Sequence, residues 1–212
     1  MAGFAENLGN PVEAAFAAAD PDPFRDLERQ SIARIRFTVC LKSSRLSEHL
    51  ETTAKLSLKL AEALGLGARE KEKIWYAASV HDIGKIGIDP LILDKQGGLT
   101  RPEFTEIQSH TVLGHRILAG IGGDIYETCA EVALSHHERW DGGGYPNGTK
   151  GEQIPLPARI VSIADVYDCI TAGRPYRAAE TDEIAIAELK KCAGTQFDPE
   201  LVDLFINKVD RP

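Results

Sequence analysis

Apolar residues recur at helical spacing along most of the chain, with charged and polar residues between them. The pattern predicts helices over about 29–43, 46–65, 69–83, 102–119, 123–138, 158–172, 181–193 and 199–209. Boundary residues agree with these spans. Thr100 with Glu103 fits a capping box, and Pro102 falls in the first turn that follows. Asp198-Pro199 reads as an N-cap followed by proline, and Gly65 and Gly67 act as stop signals. No run of alternating β-branched residues is long enough for a sheet, so the expected fold class is all-α, a helical bundle. Two stretches interrupt the periodicity: 84–101 and the glycine- and proline-rich 139–157. The second carries Trp140, Tyr145 and Ile154, which suit a loop packed against the body. Residues 1–28 are Ala-rich and broken by Pro11, Pro21 and Pro23. They read as a lead-in or linker with room for one short helix, ahead of a single domain over 29–212.

The same stripes carry four of the six histidines. His136 closes a stripe with Val132, Cys129 and Ile125, and His81 closes one with Ile74, Ala77 and Ala78. His110 shares a face with Ile107, Gly114 and Ile117, and His49 with Leu56 and Leu60. His137 and the aspartates Asp82 and Asp165 complete a spaced series. Burying polar groups without partners is costly, so several inward imidazoles are better explained by coordination than by isolated core histidines. Imidazole with carboxylate suits Fe, Mn, Zn or Ni. Seven groups exceed the needs of one ion and suggest two ions sharing a bridging carboxylate, as in phosphoester-cleaving enzymes. His115 fits no such position and reads as an ordinary, partly exposed histidine.

Composition narrows the partners. The chain has 24 basic and 32 acidic residues and a formal net charge of −8, which argues against long nucleic acid. Cys40, Cys129, Cys169 and Cys192 lack CxxC spacing and read as reduced thiols. No apolar run approaches a membrane span, and the N-terminus lacks a basic leader. The expectation is therefore a cytoplasmic protein without a membrane partner.

HDIGK at 81–85, HHERWDGGGYPNGTKGEQIP at 136–155, ADVYD at 164–168 and RPYR at 174–177 together resemble the HD-GYP family. These are metal-dependent phosphodiesterases of cyclic di-GMP, and the resemblance covers about 46–205. Gly144-Tyr145-Pro146 is the GYP of the name. The resemblance implies a bundle of the HD-domain type with a long GYP loop. It also implies two divalent ions, iron first with manganese, nickel or zinc as alternatives. His49, His81, Asp82 and Asp165 would hold one ion and His110, His136 and His137 the other, with Asp82 bridging. A hydroxide held between the ions would attack phosphorus to give pGpG, with onward cleavage to GMP open. Lys85 is implied to position the water or stabilise developing charge, alongside Asp82. Tyr145 is implied to contact the dinucleotide, and Arg174 and Arg177 its phosphates and guanine. Asp141 and Asp168 would orient the loop and the ligands.

Two positions depart from the family pattern. Where some members place a glutamate for a third metal, this chain has Arg45, which implies two metals rather than three. Where arginine is common three residues after the first histidine, it has Thr52. Competing readings are a module that binds a cyclic dinucleotide, or docks a diguanylate cyclase or adaptor through the GYP loop, with little turnover. Hydrolysis of another nucleotide, such as cyclic GMP-AMP, is a further alternative.

Overall fold

Asparagine or aspartate directly before proline starts four of the helices. Asn10 caps α1 (Pro11–Ala19) and Asp22 caps α2 (Pro23–Cys40), each side chain accepting a backbone N–H two residues on. Proline at the first helical position has no N–H to satisfy and its φ is already helical. Pro11 and Pro23 therefore begin helices, and α2 starts at Pro23 rather than at 29. The computed structural model describes residues 10–41, 44–172 and 179–211. It continues with α3 (Ser44–Ala63), α4 (Ala68–Val80), the short α5 (Pro90–Leu93), α6 (Arg101–Gln108) and α7 (His110–Leu118). The chain ends with α8 (Asp124–Ser135), α9 (Leu156–Thr171), α10 (Asp182–Cys192) and α11 (Pro199–Lys208). Asp89 and Asp198 cap α5 and α11 in the same manner as Asp22. Among the described residues there is no strand, only an isolated bridge between Ala193 and Phe197. The fold is all-α, as the periodicity predicts.

One expected helix divides. The span 102–119 is α6 and α7, separated at Ser109. There the Ser109 hydroxyl donates to the Glu106 carbonyl at 2.6 Å and His110 Nδ1–H donates to the Ile107 carbonyl at 2.6 Å. Side chains that capture main-chain carbonyls compete with the helical ladder and bend it. A consequence is that Ile117, placed by periodicity on the inner face with His110, is 39 % exposed.

Two apolar clusters build the body. One unites α2, α4 and α8 with the first half of α3 around Trp75 and Tyr76. The other packs the second half of α3 against α9, α10 and α11 around Tyr167 and Phe205. Residues of α1, namely Val12 and Phe16, pack against the first cluster. Charges also tie α2 down. Arg29 Nε donates to Glu72 Oε1 at 2.5 Å with both side chains buried, and Arg69 bridges Glu72 and Asp124. Glu28 Oε1 accepts the N–H groups of Ile125 and Tyr126, so a carboxylate of α2 caps the first turn of α8.

The chain bends sharply after α4 through a 3-10 turn, Ile83–Gly87, pressed onto the start of α7. Gly84 makes that approach possible. A Cβ there would collide with the His110 carbonyl oxygen and lie 2.6 Å from the Gly114 nitrogen, neither of which can move alone. We expect Gly84→Ala to destabilise the fold by about 1–3 kcal/mol, the usual cost of overpacking. For a chain of this size that lowers the melting midpoint by several degrees. Gly98→Ala, where an added methyl meets nothing within 4 Å, should leave the midpoint unchanged in the same calorimetric scan.

Candidate metal centre

The sequence spreads the candidate ligands over more than a hundred residues, and the bundle brings them to one point. His81 and Asp82 follow the last turn of α4, His110 is the first residue of α7, and His136 and His137 follow α8. His49 projects from the second turn of α3 and Asp165 from the middle of α9. Three of these histidines are held alike. His81 Nδ1–H donates to Ala78 O at 2.7 Å, His110 to Ile107 O at 2.6 Å and His136 to Val132 O at 2.9 Å. Each of these carbonyls lies in the last turn of its helix, where an acceptor has room for a further donor; Val132 O accepts the His136 backbone N–H as well. Each ring is thereby fixed as the tautomer whose Nε2 carries a lone pair, aimed into the cluster. His49 is fixed by a side chain instead, with Asp168 Oδ2 2.6 Å from its Nδ1.

Asp82 presents one carboxylate oxygen to each of two histidine sets. Its Oδ2 lies 3.5 Å from His81 Nε2 and 3.9 Å from His49 Nε2. Its Oδ1 lies 3.4 Å from His110 Nε2 and 3.8 Å from His136 Nε2. Asp165 Oδ1 joins the first set, 3.2 Å from His49 Nε2 and 3.9 Å from His81 Nε2. His137 joins the second, its ring centroid 4.1 Å from that of His136 and 5.1 Å from that of His110. Lys85, in the 3-10 turn, donates its ammonium to Asp82 Oδ2.

The protonation states suit a divalent cation. Burial pushes His110 and His136 down to about 4 despite the nearby Asp82 carboxylate, and it lowers His81 and His137 as well. Burial opposes charge on Asp82, yet Lys85 and the surrounding histidines hold its carboxyl well below the usual range. Asp165 is held down in the same way, against burial, by His49. His49 is the exception: burial disfavours its charge, but hydrogen bonding to Asp165 and Asp168 outweighs that and raises it to about 9. Neutral imidazoles and ionised carboxylates are the forms that coordinate metal. Two atoms test the fit directly. His81 Nε2 and Asp82 Oδ1 are buried and make no hydrogen bond among the described residues. Leaving such groups unsatisfied costs about 1–3 kcal/mol each, and a cation between the two sets would satisfy both. The residues therefore fit a metal site, with ligand atoms of His49, His81 and Asp82, and of His110, His136 and His137, each within 4.8 Å of one another.

The GYP loop closes over one side. Gly144 crosses the chain just after the histidine pair, where a Cβ would lie 2.6 Å from the His137 carbonyl oxygen and 2.5 Å from the Glu138 Cα. This crossing brings Tyr145 onto His137, with ring centroids 4.9 Å apart and planes 28° from parallel. The loop is held by Glu138, which the sequence reading did not single out. Its buried carboxylate accepts the N–H groups of Asn147 at 2.8 Å and Thr149 at 3.0 Å. Its place directly after the histidine pair was the available signal. Asp141 serves the loop alone, pairing with Arg139 and accepting the Gly143 N–H, whereas Asp168 reaches His49. Cys169 was also missed: its thiol donates to Asp165 Oδ1 at 3.2 Å, one helical turn along α9. His115 lies half-buried outside the cluster, its Nδ1 on Ala130 O at 3.1 Å. Arg45 is exposed on α3, a turn ahead of His49. Arg174 and Arg177 lie outside the described residues.

The HD-domain family profile matches residues 35–201. A cyclic di-GMP phosphodiesterase of Thermotoga maritima is 42 % identical over 158 residues, covering 74 % of this chain and 43 % of the relative. The 3'3'-cGAMP-specific phosphodiesterase 2 of Vibrio cholerae is 35 % identical over 186 residues, covering 88 % of this chain and 36 % of the relative. The chain spans half or less of the length of these curated relatives. In fold it resembles an HDG"Y"P protein of Bdellovibrio bacteriovorus, with a TM-score of 0.63 at 16 % identity, over 91 % of this chain and 66 % of that one.

Groups that orient a ligating imidazole typically change metal affinity 10- to 100-fold when removed. We expect Asp168→Ala to weaken divalent-metal binding by about that factor in a chelator-competition titration. Its helical circular dichroism should remain that of the wild type.

Proposed function

The chain belongs to the HD-domain family, and from that footing we propose that it is a metal-dependent phosphodiesterase that hydrolyses cyclic di-GMP to linear pGpG. The observation that carries the reading is Asp82, whose two oxygens face two separate sets of histidines. His49, His81, Asp82 and Asp165 would hold one divalent ion, and His110, His136, His137 and Asp82 a second. Iron is the first choice, with manganese, nickel or zinc as alternatives, since imidazole and carboxylate suit all four. Such ions, when bound, supply Lewis-acid neutralisation of phosphate charge and activation of water.

The chain's own residues would do the rest. Lys85 reaches Asp82 through a flexible stem, and its ammonium would stabilise negative charge on the phosphoryl oxygens. Tyr145, immobilised against His137, would offer its remaining ring surface to a nucleotide. Burial together with the negative Asp82 and Asp165 raises its phenol pKa, so it stays a neutral hydrogen-bonding group. Arg174 and Arg177 would bind phosphate and the O6/N7 edge of guanine, for which the guanidinium fork is suited. The likeness to the Vibrio cholerae enzyme favours a second reading, hydrolysis of 3'3'-cyclic GMP-AMP by the same residues. Docking of a diguanylate cyclase or adaptor on the exposed tip of the GYP loop would be a use without chemistry, and it should survive metal removal.

The test is anaerobic incubation of the purified protein with cyclic di-GMP and Fe(II) or Mn(II), beside a chelated control, with products separated by chromatography. We expect pGpG only with metal, and any GMP would mark a second cut. Intact cyclic di-GMP under every metal would overturn the reading. Asp82→Ala and His136→Ala should each abolish hydrolysis and lower bound metal together. Tyr145→Ala should keep its metal while binding substrate more weakly by about 1–3 kcal/mol, the worth of one aromatic–base contact.

A further inference from the structure

Beside the metal centre, on the far side of Tyr145, α5 and α6 enclose an open groove of about 570 Å³, lined chiefly by Ile92, Leu93, Lys95, Leu99, Phe104 and Ile107. Two residues of the groove touch residues of the centre and its loop. Ile107, in its wall, gives its carbonyl to His110, and the Phe104 ring meets Tyr145 edge-on with centroids 6.5 Å apart. Tyr145 in turn stacks on His137. Phe104 is 47 % exposed and Leu99 38 %, so apolar surface is open to a ligand there.

The polar groups of the groove point to what it would take. Two cations line it: Arg101, at the start of α6, is exposed, and Lys95 is clamped on both oxygens of Glu103, at 2.8 and 2.7 Å. Glu103 also accepts the N–H and the hydroxyl of Thr100. Lys95 is thus paired within the wall, and the groove offers apolar surface beside the exposed Arg101. Such a surface suits the uncharged face of a nucleobase, and a guanidinium can address the O6/N7 edge of guanine. The volume falls within the range of pockets that hold small organic ligands.

We propose that this groove binds the purine of the nucleotide half remote from the scissile phosphate, with the base stacked on Phe104. The proposal rests on the phosphodiesterase reading and adds to it a base subsite formed by α5, α6 and the segment joining them. Tyr145 and Phe104, whose rings meet edge-on, then offer two neighbouring aromatic surfaces, one for each half of a cyclic dinucleotide.

The test compares wild type, Phe104→Ala and Phe104→Trp. Binding of cyclic di-GMP is measured by isothermal titration calorimetry on chelated protein, and turnover on metal-loaded protein. We expect Phe104→Ala to raise the dissociation constant and the KM about 5- to 100-fold, as for the loss of one base–aromatic stack. Phe104→Trp, which keeps an aromatic face, should bind as the wild type does. Equal affinity of Phe104→Ala and wild type would overturn the proposal, as would a Phe104→Trp protein as weak as Phe104→Ala. If wild type binds cyclic di-GMP without hydrolysing it, the phosphodiesterase reading falls and the three dissociation constants still decide the groove. If metal-loaded wild type shows neither binding nor turnover of the dinucleotide, both fall.

Discussion

The candidate centre depends on imidazole N–H groups that hydrogen-bond to carbonyls at the ends of helices. The last carbonyls of a helix have accepting capacity to spare, and three of the histidines stand where they can donate to one. Each bond satisfies the main chain and orients the ring in a single step. The outer support of the site is therefore largely backbone, and no second residue must be specified for each ligand. His49, in the second turn of α3, is held by a carboxylate instead, Asp168. The bundle topology follows from the same requirement, since the ends of α4, α6 and α8 must meet where α3 and α9 pass.

Close main-chain approach is the second requirement, and glycine meets it twice. Gly84 lets the turn after Asp82 lie against His110, and Gly144 lets the GYP loop cross the residues that follow His137. Both positions bring an element of the site into register with a histidine. Tyr145 could not stack on His137 if the loop were lifted by one methyl group.

Much of this was legible in the sequence, for reasons that also mark where legibility stopped. Ile125, Cys129, Val132 and His136 form a periodic stripe because they share one buried face, and all four are buried. The break at Ser109 left no trace in the periodicity, since Ser109 and His110 bend the helix through their own hydrogen bonds. The first 28 residues were read as a lead-in because Pro11, Pro21 and Pro23 look like interruptions. Two of those prolines open helices behind Asn10 and Asp22, by the rule already applied at Asp198-Pro199. Buried charge was the least visible feature. Arg29, Glu72 and Glu138 are each 4 % exposed or less, yet nothing in a one-dimensional pattern separates such residues from solvated ones. Their partners lie up to 43 positions away, as in the pairing of Arg29 with Glu72.

Glu28 ties the N-terminal helices to the centre in another way. Its carboxylate completes the first turn of α8, the helix that ends at the His136-His137 pair, and it belongs to α2. α8 is therefore a rigid rod about 18 Å long with one end anchored in another helix and the other end carrying two candidate ligands. α2 also reaches α4 through the pairing of Arg29 with Glu72, and α4 leads into His81 and Asp82. Two helices that end at candidate ligands are thus braced by charges of one N-terminal helix that carries no ligand itself.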